Sequence, residues 1–112
     1  MSTTTAQAGA KHSVKTIVYS VAGYTIQMEF LLNDQLRWTY LNAPTSEEIG
    51  KTSVENADRF ELRKGLILMA WTEKTGANVV DVFDYKNKKV YANFVMPDGK
   101  RYKSEATFEI KK

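Results

Sequence analysis

The chain has 112 residues, 43% hydrophobic and 12% aromatic, and a formal net charge of +3. That is the size of one domain with a modest core, burying roughly two-thirds of its unfolded surface. With no cysteine and a single histidine, His12, it has no disulfide framework, thiolate chemistry, histidine dyad or Cys/His metal site to offer. Any chemistry rests on carboxylates, tyrosines and lysines, or on binding alone.

Residues 1–12 read as a disordered tail and 13–112 as a single β-barrel domain. The tail is rich in Ser, Thr and Ala, lacks the apolar core of a signal peptide, and carries no charged side chain before Lys11. No stretch has enough apolar residues to span a bilayer, so no membrane contact and a cytoplasmic location are expected.

A first strand is predicted over Val14–Ser20. In the next, Tyr24, Ile26, Met28 and Phe30 alternate with Thr25, Gln27 and Glu29. Period-two alternation marks a strand with one buried face. Asn33-Asp34 makes a turn, and Leu36, Trp38 and Tyr40 share the next face. Asn42 to Gly50 reads as a long loop holding a helical turn that Ser46 could cap. One long strand is predicted from Thr52 to Arg63. Val54, Asn56, Asp58, Phe60 and Leu62 lie on one side; Glu55, Arg59, Glu61 and Arg63 mark the other as solvated. A hairpin follows from Leu66 to Val80, turning through Lys74-Thr75-Gly76. Val90, Ala92, Phe94 and Met96 form the next strand. After a Pro97-Asp98-Gly99 turn, Tyr102, Ser104, Ala106, Phe108 and Ile110 alternate with charged residues in the last.

The count is about eight strands joined mostly by short hairpins. The expected fold is all-β: a small, closed, antiparallel up-and-down barrel of the calycin (lipocalin-like) kind, because closure removes exposed strand edges. Eight strands hold side chains or one small ligand. Alternate turns fall at alternate ends, so Val21–Gly23, Asn42–Gly50, the turn after Glu73 and Pro97–Gly99 gather at one end. Its longer loops make it the expected mouth, with Glu73 and Lys51 beside it.

Inward polar residues are the informative ones, because burying them is costly unless they are paired or meet a ligand. Asp58 has the parity of an inward residue, with a bulge that turns it outward as the alternative. Asp81 is ambiguous, because Val79 and Phe83 compete with Val80 and Val82 for the interior. Trp38, Tyr40 and Trp71 are core candidates singly; together with Tyr19 and Tyr102 they suit a flat apolar ligand with polar tips. Basic residues are divided between the barrel ends, with Lys86, Lys88 and Lys89 at one and Lys100 and Arg101 at the other. They form no stripe with aromatics, and no nucleic-acid partner is expected. Phosphate loops, dinucleotide fingerprints and carboxylate metal clusters are absent, so neither metal nor cofactor is expected.

Ile17-Val18-Tyr19, Gly23, Met28-Glu29-Phe30 with Asn33-Asp34, Gly50-Lys51, and Trp71-Thr72-Glu73 with Thr75-Gly76 together resemble the MoaF-like and phenolic acid decarboxylase families of calycin barrels. The resemblance runs from Thr16 to about Arg101. It implies a cofactor-free barrel that takes a small ligand inside. In the decarboxylases the glutamate matching Glu73 moves a proton. Lys51 stands where that family has an arginine, keeping the charge without the planar two-pronged donor. Only Tyr19 matches its tyrosine pair.

Two functions follow as expectations. One is a small-molecule-binding barrel with Tyr19, Trp38, Tyr40, Lys51, Asp58, Trp71 and Tyr102 around an aromatic or apolar ligand. The other is a cofactor-free lyase or isomerase with Glu73 as general acid or base. A filled barrel acting as an interaction module is a third, and a homodimer stays open in each.

Overall fold

The structure is a computed structural model that describes residues 15–111. The expected tail, with His12, and Val14 at the start of the first expected strand lie outside the described residues. Nine strands follow in chain order: β1 Lys15–Val21, β2 Tyr24–Phe30, β3 Gln35–Asn42, β4 Thr52–Asn56, β5 Asp58–Arg63, β6 Leu66–Thr72, β7 Asn78–Asp84, β8 Lys89–Val95 and β9 Arg101–Lys111. The described residues contain no α-helix, and none is long and apolar enough to cross a membrane. A single 3-10 turn, Ser46–Glu48, interrupts the loop after β3. It is capped from Thr45 rather than Ser46, and the Thr45 hydroxyl donates to Glu48 Oε1 at 2.9 Å.

The strands form one antiparallel sheet in the order β4-β3-β2-β1-β9-β8-β7-β6-β5. β1 pairs with β9, which rolls the meander into a nearly closed barrel. β9 is long enough to serve two partners. Its residues from Arg101 to Thr107 pair with β8, and those from Phe108 to Lys111 pair with β1. The barrel is therefore creased along β9. Its other crease is a seam at Ala57, where β4 leaves β3 and β5 joins β6.

That seam corrects the expectation of one strand from Thr52 to Arg63, and it accounts for nine strands where about eight were expected. Ala57 sits between two side chains, Asn56 and Asp58, that favour turns over ladders. The expected inward row is also the outer one on both sides of the seam. Val54, Phe60 and Leu62 are 43%, 59% and 54% exposed, whereas Glu55, expected in solvent, is 6% exposed.

Elsewhere the alternation predicts the core. Ile17, Ile26, Met28, Leu36, Ile67, Met69, Val79, Phe83, Val90 and Phe108 are buried, with Tyr24 and Phe30 packed against them. At the lower end Phe83 meets Phe30 edge-on at 5.0 Å, and Tyr85 meets Phe108 at 5.4 Å. Lys15 lies over the outer Tyr85 ring, 4.9 Å from its centroid, a cation–π contact that caps this plug. Asn33 and Asp34 both take φ of 59°, the paired left-handed geometry that suits a tight hairpin.

The upper end gathers the four connections expected there. Two of its glycines touch prolines of neighbouring loops. A side chain on Gly23 would meet Pro44 at 3.2 Å, and one on Gly76 would meet Pro97 at 3.3 Å. Each hairpin tip is thereby packed against the next loop.

Candidate functional site

The upper half of the barrel is aromatic and acidic. Tyr40, on β3, is flanked by Tyr24 at 4.7 Å and Trp38 at 4.9 Å between ring centroids. The loop after β3 folds back to hold Tyr40: its N–H donates to Lys51 O, and Gly50 N–H donates to its carbonyl. Tyr24 donates its hydroxyl to Glu48 Oε2 at 2.7 Å, which keeps Glu48 below the usual carboxylate range.

Three carboxylates stand inside or at the rim. Glu55 enters from β4, and its Oε2 accepts the indole N–H of Trp38 at 2.9 Å. Glu73 follows β6 at the hairpin turn, where its N–H donates to Ala77 O and its carbonyl accepts from Gly76 N–H. Its side chain accepts the Trp71 indole N–H at 3.3 Å. Asp81 lies on β7 between Val79 and Phe83, is 1% exposed, and has an Oδ1 with no hydrogen-bond partner. Alternation with those two apolar neighbours turns it inward, which settles the ambiguity in its parity.

Burial governs the protonation of this group. It pushes Asp81 up to about 8, with the charge of Glu73 adding to the shift. Burial also raises Glu73; the Trp71 hydrogen bond opposes this and the charge of Glu55 assists it. Tyr19 is raised well above its usual value by burial, then by Asp81, Tyr40 and Glu73. Tyr40 is pushed up to about 12 by burial and then by Glu73. These groups therefore sense one another, although they come from β1, β3, β4, β6 and β7.

The structure brings together Tyr19, Trp38, Tyr40, Trp71 and Glu73 from among the residues singled out in the sequence. It leaves out three. Lys51 is exposed and its charge acts on Glu48, so it does not oppose the upward shift of Glu73. Tyr102 is 56% exposed at the upper end of β9. Asp58 is exposed on the outer face, in one row with Val54, Phe60 and Leu62, because that whole row faces outward. Asp58 nevertheless shares a feature with Trp71. Both line an open groove of about 470 Å³ over the seam, together with Asn56, Ala70, Thr72, Asn78, Val79 and Val80. That volume falls within the range of roughly 300–1,000 Å³ usual for small-ligand sites.

Glu55 is the residue that sequence reasoning missed. Nothing in the alternation marked it, because the apolar Val54, Phe60 and Leu62 stand on the opposite, outer face. Trp38→Phe should expose what Glu55 depends on. The buried carboxylate would lose its indole donor, at a cost of about 1–3 kcal/mol. Urea unfolding should show that loss, and adding Glu55→Leu should recover most of it by removing the orphaned acceptor. A double variant no more stable than Trp38→Phe would show that the pair itself contributes little.

Among the described residues, no three His, Cys, Asp or Glu side chains converge closely enough to hold a metal ion. The cluster offers proton-holding groups, aromatic faces and acceptors instead.

Fold and site together define a small, nearly closed β-barrel with a plugged lower end and an acidic, aromatic upper half. The chain belongs to the MoaF-like family, whose model matches residues 13–109. It is also similar to the crystal structure of a "putative beta-lactamase" from Burkholderia vietnamiensis. That likeness has a TM-score of 0.76 at 16% identity and covers 87% of this chain and 92% of the other. At that identity it speaks for the fold alone. A comparison with curated proteins gives no match.

Proposed function

We propose that this MoaF-like barrel binds a small, flat, apolar or aromatic molecule in its upper half, between the Tyr24, Trp38 and Tyr40 rings and the Trp71–Glu73 pair. One observation carries the reading: Asp81 is buried without a partner for Oδ1. An interior polar group left unsatisfied costs free energy that a ligand can return. The plug of Phe30, Phe83, Tyr85 and Phe108 supports the upper end as the functional one. A cytoplasmic setting is part of the proposal.

A second reading is favoured by a specific feature. Burial raises Glu73, as proton transfer near neutral pH requires. Under it, the protein is a cofactor-free lyase or isomerase with Glu73 as general acid or base. The likeness to a protein described as a β-lactamase brings no activity with it at this identity.

The test is a panel of flat aromatic compounds read by tryptophan fluorescence, with decarboxylation and double-bond isomerisation assayed alongside. Saturable quenching by any compound supports binding; a panel that leaves both tryptophans unaffected would sink the binding reading. Glu73→Gln should leave the fold intact and change affinity modestly if the protein only binds. If it catalyses, the same change should abolish turnover, because the amide keeps the shape and loses the transferable proton.

A further inference from the structure

We propose that the ligand of this upper site is an organic cation, an amine whose ammonium sits between Glu73 and Asp81 and whose apolar body lies against the aromatic rings. The proposal rests on the binding reading above and narrows it to one charge class.

The first argument is charge balance. Glu55, Glu73 and Asp81 meet in one interior with no basic side chain bonded to any of them. The ion pairs among the described residues are Arg37 with Glu29 and Lys89 with Glu105, and none of the three acids takes part. The groups whose charges reach Asp81 or answer to it are Glu73 and Tyr19. Across the ladders it faces Met69 on β6 and Ala92 on β8. Arg59 shares its row, beyond Met69, but is exposed and acts on Tyr85. No fixed cation serves the cluster, so an incoming one would meet acids whose other partners are neutral donors.

The second argument is the orphaned oxygen. Asp81 Oδ1 needs a hydrogen-bond donor, and none of its neighbours supplies one. An ammonium supplies up to three. The third is the rings. Trp38 and Tyr24 each stand within 5 Å of Tyr40. Their negative faces suit a cation and its apolar body together.

The same reasoning excludes the opposite charge. A phenolic acid would bring its negative charge in among the acids Glu55, Glu73 and Asp81, with Lys51 exposed outside. The arginine that grips such a substrate in the decarboxylases has no counterpart among the groups facing this cluster. The cluster is thus set against the anionic substrates of the family it resembles.

Benzylamine, benzyl alcohol and phenylacetate make a matched test set, because they share a ring and differ in charge. Isothermal titration at pH 7 should give benzylamine an affinity at least about tenfold above either of the others, the ratio expected for one charge-assisted hydrogen bond. Asp81 holds its proton at that pH, and an adjacent ammonium favours the ionised form. Binding should therefore release protons, seen as a heat that varies with buffer ionisation enthalpy. Asp81→Asn, which should fold well, is expected to remove both the proton release and the preference for the amine. If benzyl alcohol binds as tightly as benzylamine, the cation proposal fails while the binding barrel stands. A tighter phenylacetate would overturn the charge argument itself. If none of the three binds while another aromatic of the panel quenches fluorescence, the cation proposal again fails alone. If nothing in either set binds, both readings fall together.

Discussion

Asp81→Asn should flatten the pH dependence of stability and make the barrel more resistant to urea above neutral pH. The sign follows from linkage. Asp81 is raised from its ordinary 3.8 to about 8 in the folded chain, by burial first and then by Glu73. Below about pH 4 both folded and unfolded chains hold the proton. Between 4 and 8 the unfolded chain releases it and the folded chain keeps it, so stability falls as pH rises. Above 8 the folded chain has released it as well and the slope from this residue ends. Integrated over that window the loss is on the order of 5–6 kcal/mol. Asparagine does not titrate, so the variant lacks this slope, although its buried amide carries its own unmet donors. Glu73 titrates in the same direction in both proteins, so the difference between the two curves isolates Asp81. Urea midpoints at pH 5, 7 and 9 should converge at the acid end and diverge at the alkaline end. Parallel curves would mean that Asp81 is solvated.

Phe83→Ala should cost about 3–5 kcal/mol, the usual range for emptying a buried aromatic site. Phe83 is fully buried and meets Phe30 edge-on, joining the strands that pair around β2 to those around β7. Phe60→Ala is the contrast. Its ring is 59% exposed on the outer face of β5, and its loss should fall within about 0.5 kcal/mol. Equal losses from the two changes, measured by urea unfolding, would contradict the assignment of inner and outer faces.

How much of this was legible in the sequence differs from strand to strand. β2 could be read directly, because Ile26 and Met28 alternate with Thr25, Gln27 and Glu29, and a one-residue slip would expose every apolar side chain. The turns at Asn33-Asp34 and Lys74-Thr75-Gly76 announced themselves by residue type. The segment from Thr52 to Arg63 misled because Val54, Phe60 and Leu62 imitate an inward face. Parity in fact runs through the corner at Ala57 unchanged: Glu55, Arg59 and Glu61 all pair with inward residues, and the apolar row is the outer one. Glu55 was lost and Asp58 misplaced for one reason: an apolar row reads as inward, and here it faces outward. Asp81 stayed ambiguous for a different reason. Valines stand on both faces of β7, and only the neighbouring strands decide which face is interior. Tertiary proximity was not legible at all: nothing in the spacing of Glu55, Glu73 and Asp81 announces that they share a field.

The corner at Ala57 has a mechanical consequence. The nine strands form one strip, rolled until its two free edges lie beside each other. No ladder pairs β4 with β5 or β6; the chain itself, passing through Ala57, fastens the roll. Girth along that line is therefore set by side-chain packing rather than by backbone hydrogen bonds. Spreading it breaks no strand pairing, while the covalent link at Ala57 limits how far it travels. The Trp38–Glu55 and Trp71–Glu73 pairs flank this adjustable line from opposite margins, so its width can change without unzipping the sheet.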